Sequence, residues 1–559
     1  VIGMGYVAGI DLGTTTSYLA FMPSDGRDRP KLAPCGLFPG ERESGAIRRW
    51  AGMPSRVLIA KGSENRPIRL LLPGRALNYP EDLLLVARFK AWMGEKKISV
   101  GGKIDVRPDI LAAFLIKNML NIAQQEEKIG IDSITITVPA MSTISQRRAT
   151  EFAVRFAGFE GEINILEEPT SAFVYHHWRN KAIFERQAYT LVIDFGGGTC
   201  DFSLLRHQGA NKKPVVVSRC TGYFGGEDID RIIAQEWLKD ENIDFFALSL
   251  KDQEKLREYA REAKETLSTN PEQSAAKFDI GYLDNKPHPL GEKELSQEML
   301  ERILKEYEIK VDVVGERDEW RGSIVQLVER LADNLIGSKG VCKDEIGVVI
   351  LAGGSTRLKE VRDWAKEYFG KGVSIVYDDP EACVALGAAV YQYYRSRRKK
   401  VFVSTLASDI QVECAGKSLL LGRQGEELPI DSEGLLRSIF GGRNWLQVEK
   451  EVGEMGERQV RINVKQGDQI IEIPIAAEER FVSHLWIRYY IGEDGIIKRF
   501  RYRPCNWLPV LGSPLFSPET IRKVVAPSKE MEILPQFDWN NPALIRELRE
   551  TYDFGGRYV

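Results

Sequence analysis

The chain has 559 residues, too many for one hydrophobic core, so about two to four domains are expected. A hydrophobic fraction of 43% and a charged fraction of 28% are those of a globular protein, and 77 basic against 80 acidic residues (net charge -3) exclude electrostatic capture of nucleic acid as a role. No apolar run approaches the ~18 residues of a membrane span, so neither nucleic acid nor membrane is expected as a partner. Cysteines at 35, 200, 220, 342, 383, 414 and 505 have no metal-ligand spacing and read as reduced thiols. The N-terminus lacks a basic stretch followed by a long apolar one, and a cytoplasmic location is expected.

In chain order, residues 6–22 read as an apolar strand, a Gly/Thr turn and a second strand, with Asp11, Gly13, Thr14, Thr15 and Thr16 at the tip. Short strands are expected at Arg56–Ala60 and Ile68–Leu72, and residues 81–93, containing Lys90, read as helix-like. Arg107–Gln125 carries an apolar stripe at helical spacing from Ile110 to Ile122. A strand (Ile131–Val138), a helix (Ser145–Phe156), a strand (Ile163–Leu166) and a helix start (Pro169–Tyr175) follow, an alternation that indicates α/β architecture.

Leu191–Ile193 is a strand delivering Asp194 into Gly196-Gly197-Gly198-Thr199, after which Asp201–Arg206 runs back. Glycines let a backbone bring its N–H groups against a phosphate chain, a threonine hydroxyl can donate to it, and aspartates can hold magnesium through its waters. Because Asp11 ends a strand of the same grammar, the two stretches read as duplicated phosphate-loop units, one per lobe. A glycine-rich turn with Gly225, Gly226 and Glu227 feeds a helix over Ile229–Leu238, and a charged helix spans 251–268. A small hairpin region is expected over 276–294 and a helix over Ile324–Ile336. A strand (Gly347–Leu351) then leads into Gly353-Gly354-Ser355-Thr356-Arg357, expected to open a capped helix through Tyr368 and to seat a purine nucleoside. Ala382–Tyr394 is the last helix before the basic run Arg395–Lys400.

Beyond residue 400 the period becomes two. Segments 401–406, 409–414, 417–421, 445–451, 458–464, 469–475, 485–491 and 496–502 read as strands of a β domain over 401–512. Its aromatics, including Trp445, Trp486, Tyr489, Tyr490, Phe500 and Tyr502, suit either a core or a peptide-binding face. Residues 513–559 read as an extension with one short helix, Pro542–Tyr552, and no helical lid.

Residues 1–395 resemble the ATPase domain of the seventy-kilodalton heat-shock (DnaK-like) chaperones, within the actin and sugar-kinase superfamily, in five blocks in the family's order. The resemblance implies a two-lobed actin-like domain, the second lobe starting near 186, followed by a β-sandwich-like domain. It implies ATP/ADP and Mg²⁺ as ligands, with K⁺ a further candidate. Asp11, Thr14 and Thr15 match the first phosphate loop and Asp194, Gly196, Gly197, Gly198, Thr199 and Asp201 the second. Asp11 and Asp194 are implied to hold hydrated Mg²⁺, and Thr199 to sit beside the γ-phosphate. Lys90 matches the lysine that positions the attacking water, Glu168 the glutamate near magnesium and water, and Asp201 a residue ordering that water. Gly353, Gly354, Ser355 and Arg357 match the adenosine loop, while Lys264 and Ser268 match nucleoside contacts. Pro139 with Arg147 resembles a relay between the ATPase and peptide-binding domains.

Departures are visible too. Arg261 stands where the family has a ribose-binding glutamate, Glu265 where an arginine stacks on adenine, and Glu381 where an aspartate is usual. The leucine-rich acidic linker is missing. The expected function is slow ATP hydrolysis coupled to binding of unfolded polypeptide, with a J-domain or nucleotide-exchange co-chaperone as implied partners. A nucleotide-gated scaffold for a dedicated protein partner and a small-molecule kinase are the alternatives.

Overall fold

The computed structural model describes residues 5–35, 52–62, 67–73, 83–95, 97–102, 104–185, 187–209, 212–270, 272–284, 289–316, 318–414, 417–431, 445–447, 461–466, 469–474, 484–495, 497–505, 531–532 and 542–554. The chain divides into two compact units: Val1–Phe402 together with Pro542–Val559, and Val403–Asn541.

The first unit is built from one topology used twice. In the first lobe Gly5–Asp11 and Thr16–Pro23 form an antiparallel hairpin. Lys31–Leu32 adds on the hairpin's far side, while Gly130–Val138 and then Glu162–Glu167 add in parallel on the other. In the second lobe Tyr189–Phe195 and Cys200–Arg206 form the hairpin, flanked by Val215–Gly222 antiparallel and by Ile346–Ala352 and Ser374–Val376 in parallel. Both sheets therefore run in the order third, second, first, fourth, fifth strand. Tyr189–Phe195 lies at the centre of its sheet, and six of its seven residues are buried, as expected of a strand covered on both faces.

Three helices serve the first lobe: α1 (Pro108–Glu126), α2 (Ile144–Phe156) and α3 (Glu168–Arg179). Proline at the first position of α1 costs no helical hydrogen bond, and burying each of Ile110, Leu111, Phe114, Leu115 and Met119 contributes about 1.5–3 kcal/mol. A capping box between Thr143 and Gln146 starts α2. The second lobe carries α4 (Gly226–Lys239), α5 (Leu250–Thr269), α6 (Gln297–Glu306), α7 (Ile324–Gly337) and α8 (Lys359–Phe369). The last helix of this stretch, α9 (Cys383–Ser396), packs on α3 so closely that a Cβ on Gly387 would lie 1.9 Å from the Ser171 carbonyl oxygen. These two helices join the lobes through a shared core of Ala172, Phe173, Val192, Ile350, Ala385 and Ala389.

Several expectations are corrected. Residues 83–87 form a strand, not a helix, because Leu83-Leu84-Leu85-Val86-Ala87 pairs along its whole length with Arg56–Ala60; one 3-10 turn, Phe89–Trp92, then carries Lys90. The segment after Ala352 is not one helix. A 3-10 turn (Gly354–Arg357) precedes α8, and Ser355 caps neither, because its hydroxyl donates to the Gly196 carbonyl at 2.8 Å. Residues 401–406 form no strand: Phe402 packs on Tyr391 of the first unit, and Thr405 makes one isolated bridge to Glu427. The strand 215–222 and helix α6 went unread in the sequence.

The chain also returns to the first unit. Pro542–Thr551 is a helix, α10, and Tyr552–Asp553 then adds in parallel to Ile68–Leu71, extending the sheet that holds 56–60 and 83–87. Phe554 packs edge-on against Phe114 and Phe156, each ring centroid 5.6 Å away, and the Tyr552 hydroxyl accepts the Arg107 N–H at 3.3 Å.

The second unit is all β among its described residues. One sheet runs Lys417–Gly422, Ile410–Cys414, Arg461–Gln466, Gln469–Pro474. The other runs Ile430–Asp431, His484–Ile491, Ile497–Cys505, Met531–Glu532, with Trp445–Gln447 also on His484–Ile491. Tyr489 is buried and donates to the Leu421 carbonyl at 2.7 Å. The side chains of Trp445, Trp486, Phe500 and Tyr502, and Gly467-Asp468 with all of 448–460, lie outside the described residues.

Candidate active site

The leading strand of each central hairpin carries an aspartate at its end (Asp11) or next to it (Asp194), and the two turns face one another. A Cβ on Gly197 would lie 2.0 Å from Thr15 Oγ1, so only glycine allows this approach. Gly198 stands against Thr14 in the same way. The second turn closes on itself, the Gly196 N–H donating to the Thr199 carbonyl at 3.0 Å. Behind it, the N–H groups of Gly226 and Glu227 donate to the carbonyls of Gly196 and Gly197 at 3.0 and 2.8 Å, which locks the start of α4 to the loop. Thr15 Oγ1 donates to Glu227 at 3.1 Å across the lobes. Burial pushes the Glu227 carboxyl up to about 7 against the pull of Arg88 and Arg261.

Between the aspartates lies a buried ion pair. Lys90 Nζ donates to Glu168 Oε1 at 2.5 Å, joining the 3-10 turn to the first residue of α3. Asp11 accepts from the Thr137 hydroxyl at 3.0 Å. Asp201 Oδ1 accepts from the Thr221 hydroxyl at 2.6 Å and the Ala140 N–H at 2.9 Å, while its Oδ2 is buried without a hydrogen-bond partner among the described residues.

Burial raises the carboxyls of Asp11 and Asp201, and pushes Glu168 up to about 8 despite the neighbouring ammonium. Asp194 is held well above the usual range by burial and by the charges of Glu168, Asp11 and Asp201. Burial pulls Lys90 down, but Glu168, Asp11 and Asp201 outweigh it and keep the lysine above its ordinary value. Four carboxyl groups gathered around one ammonium leave the site short of positive charge as they ionise, which with burial is what holds their protons on. Among the described residues no three acidic or thiol/imidazole ligands converge to cage a metal directly. The donor set therefore fits a hydrated hard cation such as Mg²⁺, which keeps most of its waters.

The nucleoside side is formed by the turn at 353–357 and by α5. Gly353 has φ +82° and backs onto the Phe195 carbonyl, where a Cβ would lie 2.4 Å away. Lys264 donates to the Gly226 carbonyl at 2.8 Å and pairs with Asp230 at 2.6 Å; Ser268 donates back to the Lys264 carbonyl. Arg357 pairs with Glu381 at 2.5 Å, and Tyr18 reaches the other oxygen of Glu381 at 3.3 Å. Arg261 is committed to Glu258, which also takes a two-pronged bond from Arg56 at 2.8 and 3.1 Å.

The first-lobe loop, the second-lobe loop, Lys90, Glu168, Asp201 and Gly225–Glu227 thus form one cluster, while Gly353–Ser355 and Lys264 join it through Gly196 and Gly226. Sequence reading missed Thr137, Thr221 and Arg88. The two threonines sit at alternate positions of strands that end at the site, and Arg88 announces itself only by its left-handed backbone (φ 57°).

The architecture is that of a two-lobed actin-like ATPase followed by a C-terminal β region. The Hsp70 protein family model matches residues 89–401, and the chain belongs to the Hsp70 family, a family of ATP-dependent chaperones. The chain is 26% identical over 558 residues to the chaperone protein DnaK of Thermosipho africanus, covering 94% of this chain and 83% of that protein. Against DnaK of Thermotoga petrophila the values are 25% over 549 residues, 94% and 84%. Among the described residues no helix is long and apolar enough to cross a membrane.

Proposed function

We propose that the chain hydrolyses ATP slowly between the two lobes and couples nucleotide state to polypeptide binding by its C-terminal β region. The observation that carries this is the Lys90–Glu168 pair, buried between two aspartate-tipped glycine turns from opposite lobes. Asp11 and Asp194 would hold hydrated Mg²⁺, and Gly13 to Thr16 with Gly196 to Thr199 would cradle the phosphates. When bound, Mg²⁺ neutralises charge on the phosphate chain. Lys90 and Glu168 then orient the attacking water. Asp201, fixed through Oδ1 by Thr221 and Ala140, offers its unpartnered Oδ2 to that water. Thr199 sits at the turn where the γ-phosphate would lie. Gly225, Gly226, Glu227, Lys264, Ser268, Gly353, Gly354, Ser355, Arg357 and Glu381 would line the nucleoside and α-phosphate end. Unfolded polypeptide is the expected client, and a J-domain or nucleotide-exchange protein the expected helper.

Steady-state ATP hydrolysis with and without an unfolded peptide, beside Lys90→Ala, tests this. Slow turnover that peptide accelerates and Lys90→Ala abolishes supports the coupled cycle. Turnover no higher than that of the variant, with ATP still bound, refutes it. A second reading, a nucleotide-gated scaffold with little turnover, is favoured by one observation: Arg261 is tied to Glu258 and a carboxylate, Glu265, stands where an arginine would cover the base.

A further inference from the structure

Glu167 precedes the active-site Glu168 and is itself buried, with relative exposure of 7%. Its two oxygens are held by two arginines that come from different lobes. Arg147, on α2 of the first lobe, reaches Oε1 at 2.9 Å and anchors its own Nε to the Ser142 carbonyl at 3.1 Å. Arg219, on the second-lobe strand 215–222, reaches Oε2 at 2.5 Å. Both guanidinium groups are buried, with side-chain exposures of 6% and 3%.

The surroundings tie this clamp to the chemistry. Glu167 is the residue from which α3 starts, so its orientation sets that of Glu168 at the first helical position. It ends the strand 162–167 in register with Val138, immediately before Pro139 and Ala140, whose N–H holds Asp201. Arg219 lies two residues before Thr221, whose hydroxyl holds the same Asp201 oxygen. One side of the clamp therefore leads to Glu168 and the other to Asp201. A charge-assisted bond to each lobe forms only when both arginines can reach one carboxylate.

We propose that Glu167 is a positioning residue: by gripping Arg147 and Arg219 together, it sets Glu168 against Lys90 only when the lobes are closed. This rests on the ATPase reading above. Closure strengthens the grip, the grip fixes the first turn of α3, and Glu168 then presents a defined oxygen to Lys90. Opening the lobes withdraws Arg219 and leaves Glu168 free to turn.

The test uses the full chain with Glu167→Gln, Arg219→Lys and the double variant Glu167→Gln with Arg219→Leu, reading kcat, KM for ATP and Tm. Glu167→Gln should lower kcat about tenfold or more while KM changes by less than about threefold. The double variant, which removes one charge of each sign and so keeps the net charge of the cluster, should regain part of the Tm that Glu167→Gln loses, but not kcat. Arg219→Lys, which keeps the charge and loses the planar fork, should stay folded and still lose kcat. A folded Glu167→Gln with normal kcat, or a double variant whose kcat returns with its Tm, overturns the proposal. Should Glu167→Gln not fold, normal kcat in Arg219→Lys overturns it equally. If the unaltered chain turns over no faster than Lys90→Ala, the ATPase reading fails by itself. The clamp is then judged by ATP-induced protection of residues 215–222 from hydrogen exchange, which Arg219→Lys must weaken if Glu167 links the lobes and must leave unchanged if it does not.

Discussion

Thr15 and Gly197 belong to opposite lobes, and the space between them is smaller than one methyl group: a Cβ on Gly197 would sit 2.0 Å from Thr15 Oγ1. That oxygen is not free to swing away without loss, because it donates to Glu227 at the start of α4. Gly197→Ala should therefore hold the phosphate loops apart. Nucleotide affinity, measured by calorimetry, is expected to fall about tenfold or more, while Tm of the nucleotide-free protein changes little. Unchanged affinity would mean that the closed pair of loops is not the nucleotide-binding form.

The Glu168 carboxyl gives a pH signature with a defined sign. In the native protein it keeps its proton to about 8, whereas its ordinary value is 4.5. Between those values the folded state binds more protons than the unfolded one, so unfolding free energy falls as pH rises. The stabilising contribution is whole below the lower value and gone above the upper one. Thermal denaturation of nucleotide-free protein should show this decline, and Glu168→Gln should make it shallower, the remainder coming from Asp11, Asp194, Asp201 and Glu227, which burial also raises. In the free enzyme, kcat/KM should climb through the same upper value as the carboxylate forms, and the variant should lose that climb.

Glu265 offers a gain-of-affinity experiment. It lies one residue after Lys264, whose ammonium is committed to Gly226 and Asp230, and Arg261 is committed to Glu258. Glu265→Arg would put a guanidinium where a base face is expected, worth about 0.5–2 kcal/mol. ADP should bind a few-fold tighter or better, read by calorimetry. Weaker binding would place the base elsewhere.

The returning C-terminal segment can be weighed separately. Phe554 packs on Phe114 and Phe156 and lies beneath the Lys117 ammonium, 5.4 Å from its ring centroid. It is half-buried, so Phe554→Ala should cost about 1–3 kcal/mol. Hydrogen exchange over residues 68–71 should accelerate in the variant, since their edge pairing with 552–553 depends on that anchor. Unaltered exchange there would show that the strand holds without it.

The sites where polar residues end buried strands were legible in the chain. Asp11 and Asp194 each close an apolar run and open a glycine turn, a pattern with few uses in a core. Lys90 lies on a 3-10 turn after a strand and not on the expected helix, because the run Leu83–Ala87 has no period of its own and only pairing with Arg56–Ala60 makes it a strand. Ser355 differs for a similar reason: a serine after two glycines looks like a helix cap, but its acceptor is a carbonyl just past the end of the neighbouring parallel strand. The family resemblance draws attention to Arg147, yet Glu167 and Arg219 acquire meaning only through distances that no spacing records.

The edge pairing of Tyr552 with Ile68 also has a consequence for biosynthesis. Residues 68–71 leave the ribosome early, but their partner strand is made only after the whole β unit, 403–541. Throughout that interval one edge of the sheet beside the Lys90 turn presents unpaired N–H and carbonyl groups, a template for wrong partners. The first lobe is thus finished from the far end of the chain, and a member of a chaperone family carries, during its own synthesis, a strand edge that waits for its last segment.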